Sequence, residues 1–223
     1  VLWPHLQACG IAGLGAWTCS RLGAAILHQL MPRSQVSDTR WAHALVTGVT
    51  AWSLVLLVLG SLIGINRPMI IAVFIAMALS GRWAPKTHWP NIAPTIGLLT
   101  FALLIPGMVA ALAPATSTDA IYTHLAIPHL MLSEGDLVGG LLHPQGSRPL
   151  ALHLPYAALM ALGGQNAAQV FHWLISGAVL VSVLQFAHIH LSGHRAGVIA
   201  LLLLGTSWTF LAETTQIGTD LPT

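Results

Sequence analysis

The sequence predicts an all-α, polytopic integral membrane bundle of about six transmembrane helices, with a helical extracytoplasmic loop. Composition is the first ground. Of 223 residues, 55% are hydrophobic and 6% charged, where a soluble domain carries about 25% charged residues. The second ground is the series of apolar runs near the length a spanning helix needs, about 20 residues. The third is the grouping of acids: Asp119, Glu134, Asp136, Glu213 and Asp220 all fall on one side once the runs are threaded through a bilayer.

The first run, 6–30, contains Arg21, which either faces other helices or sits at an interface. The run 41–64 bears no charge. A short run, 68–81, follows "NRP", and Pro68 suits a helix start. The run 94–114 contains Pro106, which predicts a kink. Two further spans are expected at 166–191 and 196–212. Residues 150–163 are apolar but too short to span upright, and read as a helix half-buried at the membrane surface.

Placing the 31–40 connection inside makes the other connections alternate. The inside then holds Arg33, Arg40, Arg82, Lys86 and Arg195, and the outside only Arg67 and Arg148, as the positive-inside rule requires. The acids did not enter that assignment. The chain thus divides into N-terminal transmembrane helices (1–114), an extracytoplasmic helical loop (115–165), and a helix pair leading into a second outer segment (166–223), within one membrane domain. Segments 115–165 and 213–223 are expected to be extracytoplasmic.

Some functions are excluded at this level. No clustered basic patch offers itself to nucleic acid. Cys9 and Cys19 lie in the first apolar run as small packing residues, without CxxC or Cys/His metal spacing. No HExxH occurs, and His188 and His190 point too far apart on a helix to share one metal. A buried His ligating a haem or chlorophyll remains an open alternative.

A loop of about fifty residues between spans is unusual and tends to be functional or disordered. This one has apolar residues at helical spacing. Thr116, Ser117 and Thr118 precede "DAIYTHLAIPHLML" and predict a helix cap. Asp119 then stands in the first turn, where a carboxylate suits the helix dipole, so a stabilising role competes with a chemical one. If the last span continues outward, Thr206, Thr209, Glu213, Gln216 and Asp220 share one face, a polar stripe fit to line a wet cavity. A second stripe, Gln165, Gln169, His172 and Ser176, predicts hydrogen bonds to neighbouring helices.

The order of these features resembles the GT-C integral-membrane glycosyltransferases, particularly the bacterial branch similar to protein mannosyltransferases and aminoarabinose transferases. Four segments carry the resemblance: "TSTDAIYTHLAIPHLMLSEGDL", "HPQGSRPLALHLPYAALMALGG", "NAAQVFHWLISGAVLVSVLQFAHIHLSGHRAGVIALLLLGTS" and "TTQIGTDLPT". They cover 115–223 in order. The resemblance implies a sugar transferase using a polyprenyl-phosphate-linked donor at the outer membrane face. It implies that Asp119 is a general base toward the acceptor or a ligand to a divalent metal (Mg or Mn), and that Asp220 is the second acid of the same catalytic and metal site. Arg148 is the expected phosphate contact, with His124, His143 and Glu213 as further substrate-binding candidates.

Two features depart from the family pattern. Many relatives carry a second acid beside the first, where this chain has Ala120. Relatives also continue with several more spans, so the resemblance implies the N-terminal portion of a transferase. The competing expectation is a non-catalytic accessory subunit of a larger membrane complex, surrounded by lipid and other membrane subunits and possessed of a pigment or cofactor.

Overall fold

The computed structural model describes residues 2–30, 41–83, 94–118, 120–137, 152–190 and 194–215. Among them every regular element is helical: α1 (Leu2–Leu30), α2 (Trp41–Ile63), α3 (Arg67–Ser80), α4 (Pro94–Leu112), α5 (Ala126–Glu134), α6 (His153–His190), α7 (His194–Gly205) and α8 (Trp208–Thr215). A 3-10 turn (Gly81–Trp83) ends α3, and a π-helical turn (Ala120–Leu125) leads into α5.

α1 and α2 make the closest helix pair. In lipid, apolar side chains gain little from one another, so helices associate through close packing of small residues. α1 buries such a stripe: Ala8, Ala12, Ala16, Cys19 and Gly23. A Cβ placed on Gly23 would stand 1.8 Å from the Ala44 carbonyl oxygen, and one on Gly48 would stand 1.8 Å from that of Cys19. Backbone therefore touches backbone on both sides of the crossing. The hydroxyls of Thr18, Ser20 and Ser53 donate to carbonyls of their own helices, so their burial leaves no orphaned donor there.

Arg21 takes the first of its two expected placements. It faces a neighbouring helix end, and its Nε–H donates to the Gly81 carbonyl at 3.0 Å. A cation there also meets the negative end of the α3 dipole. At the other end of α3, Asn66 accepts from the Met69 amide at 2.9 Å, with Pro68 in the first turn. Beside it, the Ile65 amide donates to the Gly135 carbonyl at 2.8 Å. The α2–α3 connection and the end of α5 thus meet at one end of the bundle.

Among the described residues three helices are long and apolar enough to cross a membrane: Leu2–Leu30, Trp41–Ile63 and His153–Ala187. Their flanks carry outward apolar side chains such as Leu54 and Val58, as a hydrocarbon surround demands. The expected six full spans are not supported. Arg67–Ser80, Ile96–Leu112 and Arg195–Gly205 are apolar but short. Local punctuation ends them early: the Asn66 cap and Gly81 bound α3, and α7 stops at Gly205.

α6 is two helices. Gly164 has φ 73° and ψ −177°, which no helix contains. Tyr156 and His172 nonetheless hydrogen-bond at 2.8 Å, although a straight helix would separate their Cα atoms by about 24 Å. The arm 153–163 therefore folds back on the arm 165–190. It does not lie half-buried at the membrane surface, as expected from its length. Leu152 to Leu159 are all buried, with Leu159 against Gly15 and Gly163 against Ile11 of α1. The physical reason is that protein, rather than lipid headgroups, covers an arm that glycine allows to reverse.

The second arm runs antiparallel to α4. Asn166 donates to the Leu112 carbonyl at 2.7 Å, and the Trp173 indole donates to the Leu104 carbonyl at 2.8 Å. The first of these bonds satisfies an orphan carbonyl at the end of α4. A satellite core of Ile96, Leu104, Leu180, Leu184, Leu201 and Phe210 joins α4, α6, α7 and α8. The last span does not continue as one helix. Thr206 and Ser207 interrupt it, and Ser207 caps α8 by accepting from the Phe210 amide at 3.2 Å. Thr206 is thereby separated from the stripe begun by Thr209 and Glu213.

Candidate functional site in the bundle interior

The segment after α4 begins as its sequence predicts. The Ser117 hydroxyl accepts from the Ala120 amide at 3.1 Å, and the Ser117 carbonyl accepts from the Ile121 amide at 3.0 Å. The π-helical turn follows, immediately before Pro128. Proline lacks the N–H that would bond the His124 carbonyl, and its ring crowds that carbonyl. A wider turn relieves this conflict, and such turns recur at functional sites. α5 then ends at Gly135, φ 74°, whose amide donates to the Met131 carbonyl.

His124 projects from this turn into the bundle and is fully buried. Its Nδ1 lies 3.3 Å from Nε2 of His153 on the folded-back arm. The rings are 9° from parallel with centroids 5.4 Å apart. That separation is too wide for face-to-face stacking and fits rings meeting edge to edge. One helical turn further along the arm, Tyr156 meets His172 Nδ1 across the hinge. His153, Tyr156 and His172 are also buried. Three imidazoles and one phenol thus link the π-helical turn, the arm and the second half of α6.

The stripe on the second arm is placed as its spacing implies. Gln169, His172 and Ser176 are all buried. Its bonds are partly local: Gln165 donates to Gln169 at 3.4 Å, and Ser176 donates to the His172 carbonyl at 3.0 Å. The cross-helix partner of the stripe is Tyr156, whose role the sequence reading missed, as it missed that of His153. The available signal was the His153–Tyr156 spacing of one turn just before Gly163–Gly164.

Of the sequence-predicted site residues, Asp119, His143, Arg148 and Asp220 lie outside the described residues. Glu213 falls on α8, with its side chain outside them also. His124 is the predicted residue whose surroundings are visible, and the structure brings it to His153. Among the described residues no group of three or more His, Cys, Asp or Glu side chains is arranged to hold a metal. The expected divalent site rests on Asp119 and Asp220, both of which lie outside the described residues.

Buried polar groups are costly to leave unmatched. Tyr156→Phe is expected to destabilise the protein by about 1–2 kcal/mol, read as a lower thermal unfolding midpoint in detergent micelles. An unchanged midpoint would mean that the phenol–imidazole bond does not hold the arm. No family model, curated protein or solved structure matches this chain.

Proposed function

We propose that this chain forms part of a GT-C-like glycosyltransferase, moving a sugar from a polyprenyl-phosphate donor to an acceptor at the outer face of a bacterial cytoplasmic membrane. One observation supports it most: the outer segment is a capped helix inserted into the bundle and tied there by His124. Positioned chemistry requires a rigid support, and this helix supplies one.

In this reading Asp119 accepts the proton of the acceptor hydroxyl or amine as that atom attacks the anomeric carbon. The bond to the lipid phosphate breaks, and Arg148, aided by His143, stabilises the phosphate charge. Asp220 and Glu213 complete the site from the second outer segment. A divalent cation, where bound, would be held by Asp119 and Asp220 and would neutralise phosphate charge. His124 serves as an anchor, since its ring is enclosed against His153.

A second reading, a non-catalytic subunit of a larger membrane complex, draws on the closure of the interior around His124, His153 and Tyr156. One assay separates the two. In protein isolated from its own membrane, Asp119→Asn is expected to lower sugar transfer by about 100-fold or more, with expression and unfolding midpoint unchanged. Wild-type transfer by that variant would end the transferase assignment of Asp119. Absence of transfer by the wild type in its native membrane would favour the accessory subunit.

A further inference from the structure

We propose that α3 is a phospholipid-binding face. Arg82 and Arg67 take lipid phosphates at its two ends, acyl chains cover the side between them, and the bilayer is drawn thin beside it. The inference rests on the membrane reading of the bundle and is independent of the transferase reading. It begins with length. α3 has 14 residues, and Arg67 and Arg82 are separated along it by about 22 Å. The hydrocarbon core of an ordinary bilayer is about 30 Å thick.

Both arginines are exposed. Between them Pro68, Ile71, Ala72, Ile75, Ala76 and Leu79 are exposed too, at the spacing of one helix face. The opposite side, Met69, Ile70, Val73, Phe74 and Met77, is buried. There Phe74 meets Trp52 of α2 edge to face at 5.9 Å, which fixes the side that α3 turns outward. An apolar face with a cation at each end matches acyl chains with a phosphate at each surface.

α3 is held at both ends, so it cannot slide to meet a thicker bilayer, and tilting would only shorten its reach. Before it, the Ile65 amide bonds the Gly135 carbonyl, and a Cβ on Gly64 would stand 2.5 Å from that same oxygen. After it, the Gly81 carbonyl accepts from Arg21, and a Cβ on Gly81 would stand 2.6 Å from the Arg21 Cβ. α1 is in turn joined to α2 backbone to backbone. The lipid is the softer partner and adapts by thinning.

The Arg82 end is the stronger phosphate site. α1, α2 and α3 carry no Asp or Glu, so none of them supplies Arg82 with a counter-ion. α1 runs on from Arg21 to Leu30, about 13 Å further. Past the level of Arg21 the exposed residues include His28, Gln29 and His43, whereas Leu54, Val58 and Leu62 face outward along the rest of α2. Headgroups at the level of Arg82 leave those polar groups in water. At the other end Glu134 and Asp136 flank Gly135, which weakens the field of Arg67 on a phosphate.

The test is thermal unfolding of the full chain in vesicles of myristoleoyl, oleoyl or erucoyl phosphatidylcholine, whose acyl chains lengthen in that order. The wild type is expected to be most stable in the shortest lipid, its midpoint falling by about 5 °C or more toward the longest. Arg82→Leu lengthens the apolar face and should move the maximum to a longer lipid. Arg82→Lys keeps the charge and should keep the wild-type order. Arg67→Leu should act like Arg82→Leu but less strongly, and His43→Leu, past the boundary, should change nothing in the order. A wild type that is indifferent to chain length or most stable in erucoyl lipid would overturn the proposal. So would an Arg82→Leu variant that keeps the wild-type order, because the preference would then belong to another short helix. Should Arg82→Leu not fold, Arg82→Gln removes the charge without adding an apolar end, and a wild-type order in that variant defeats the proposal equally.

Discussion

Gly48→Ala is expected to cost about 3 kcal/mol or more, and Gly48→Leu to abolish recovery of folded protein. The cause is the position of the Cys19 carbonyl oxygen, 1.8 Å from where the new Cβ must go. A flexible side chain could swing aside, but a helix backbone can yield only by moving the helix. Separating α1 from α2 forfeits contact along the whole stripe from Ala8 to Gly23. Gly13→Ala is the matched control, because nothing lies within 4 Å of its Cβ position. There alanine should be neutral or stabilising by about 0.5–1 kcal/mol, since glycine loses more freedom in a helix. Denaturant titrations of both variants in micelles, followed by circular dichroism, measure the difference. Equal midpoints would refute the backbone contact.

Gly164→Ala should also be costly, for a different reason. No atom lies within 4 Å of its Cβ position, so the substitution meets no steric neighbour. The penalty lies in the backbone, because φ 73° with ψ −177° belongs to a region essentially restricted to glycine. A loss of about 1–3 kcal/mol is expected. A double-mutant cycle with Tyr156→Phe shows where that loss acts. If alanine straightens the hinge, Tyr156 and His172 are already apart, and adding Tyr156→Phe costs nothing further. Full additivity of the two substitutions would mean that the reversal survives without glycine, and that the hinge assignment is wrong.

Both substitutions concern positions whose importance is invisible in hydropathy. The apolar runs were legible because burial in lipid demands them residue by residue. Their count as six full spans was not, because hydropathy does not register where a helix stops. α7 shows this directly: Thr206 and Ser207 sit in an otherwise promising run, and the Ser207 hydroxyl restarts the chain as α8. The cap at Ser117 and the start at Asn66–Pro68 were legible, since a side chain three residues before an amide is a local arrangement.

The site divides along the same line. The face shared by Gln169, His172 and Ser176 follows from helical periodicity alone. Its partner Tyr156 does not, because the two rings meet only after a reversal at Gly164. The resemblance offers His124 as a substrate-binding candidate, yet its burial and its pairing with His153 depend on an arm that is remote in sequence.

By itself the sequence determined a helical chain suited to lipid, with most helix starts and the polar stripe on the second arm of α6. These are consequences of composition, 3.6-residue periodicity and capping, all of which act over a few neighbouring residues. Only the tertiary structure decided which apolar runs are long helices, that 153–163 turns inward under protein, and that His124, His153, Tyr156 and His172 gather in one interior. Those outcomes depend on how closely glycine-lined backbones approach and on one left-handed residue, and both act through contacts between segments far apart in the chain.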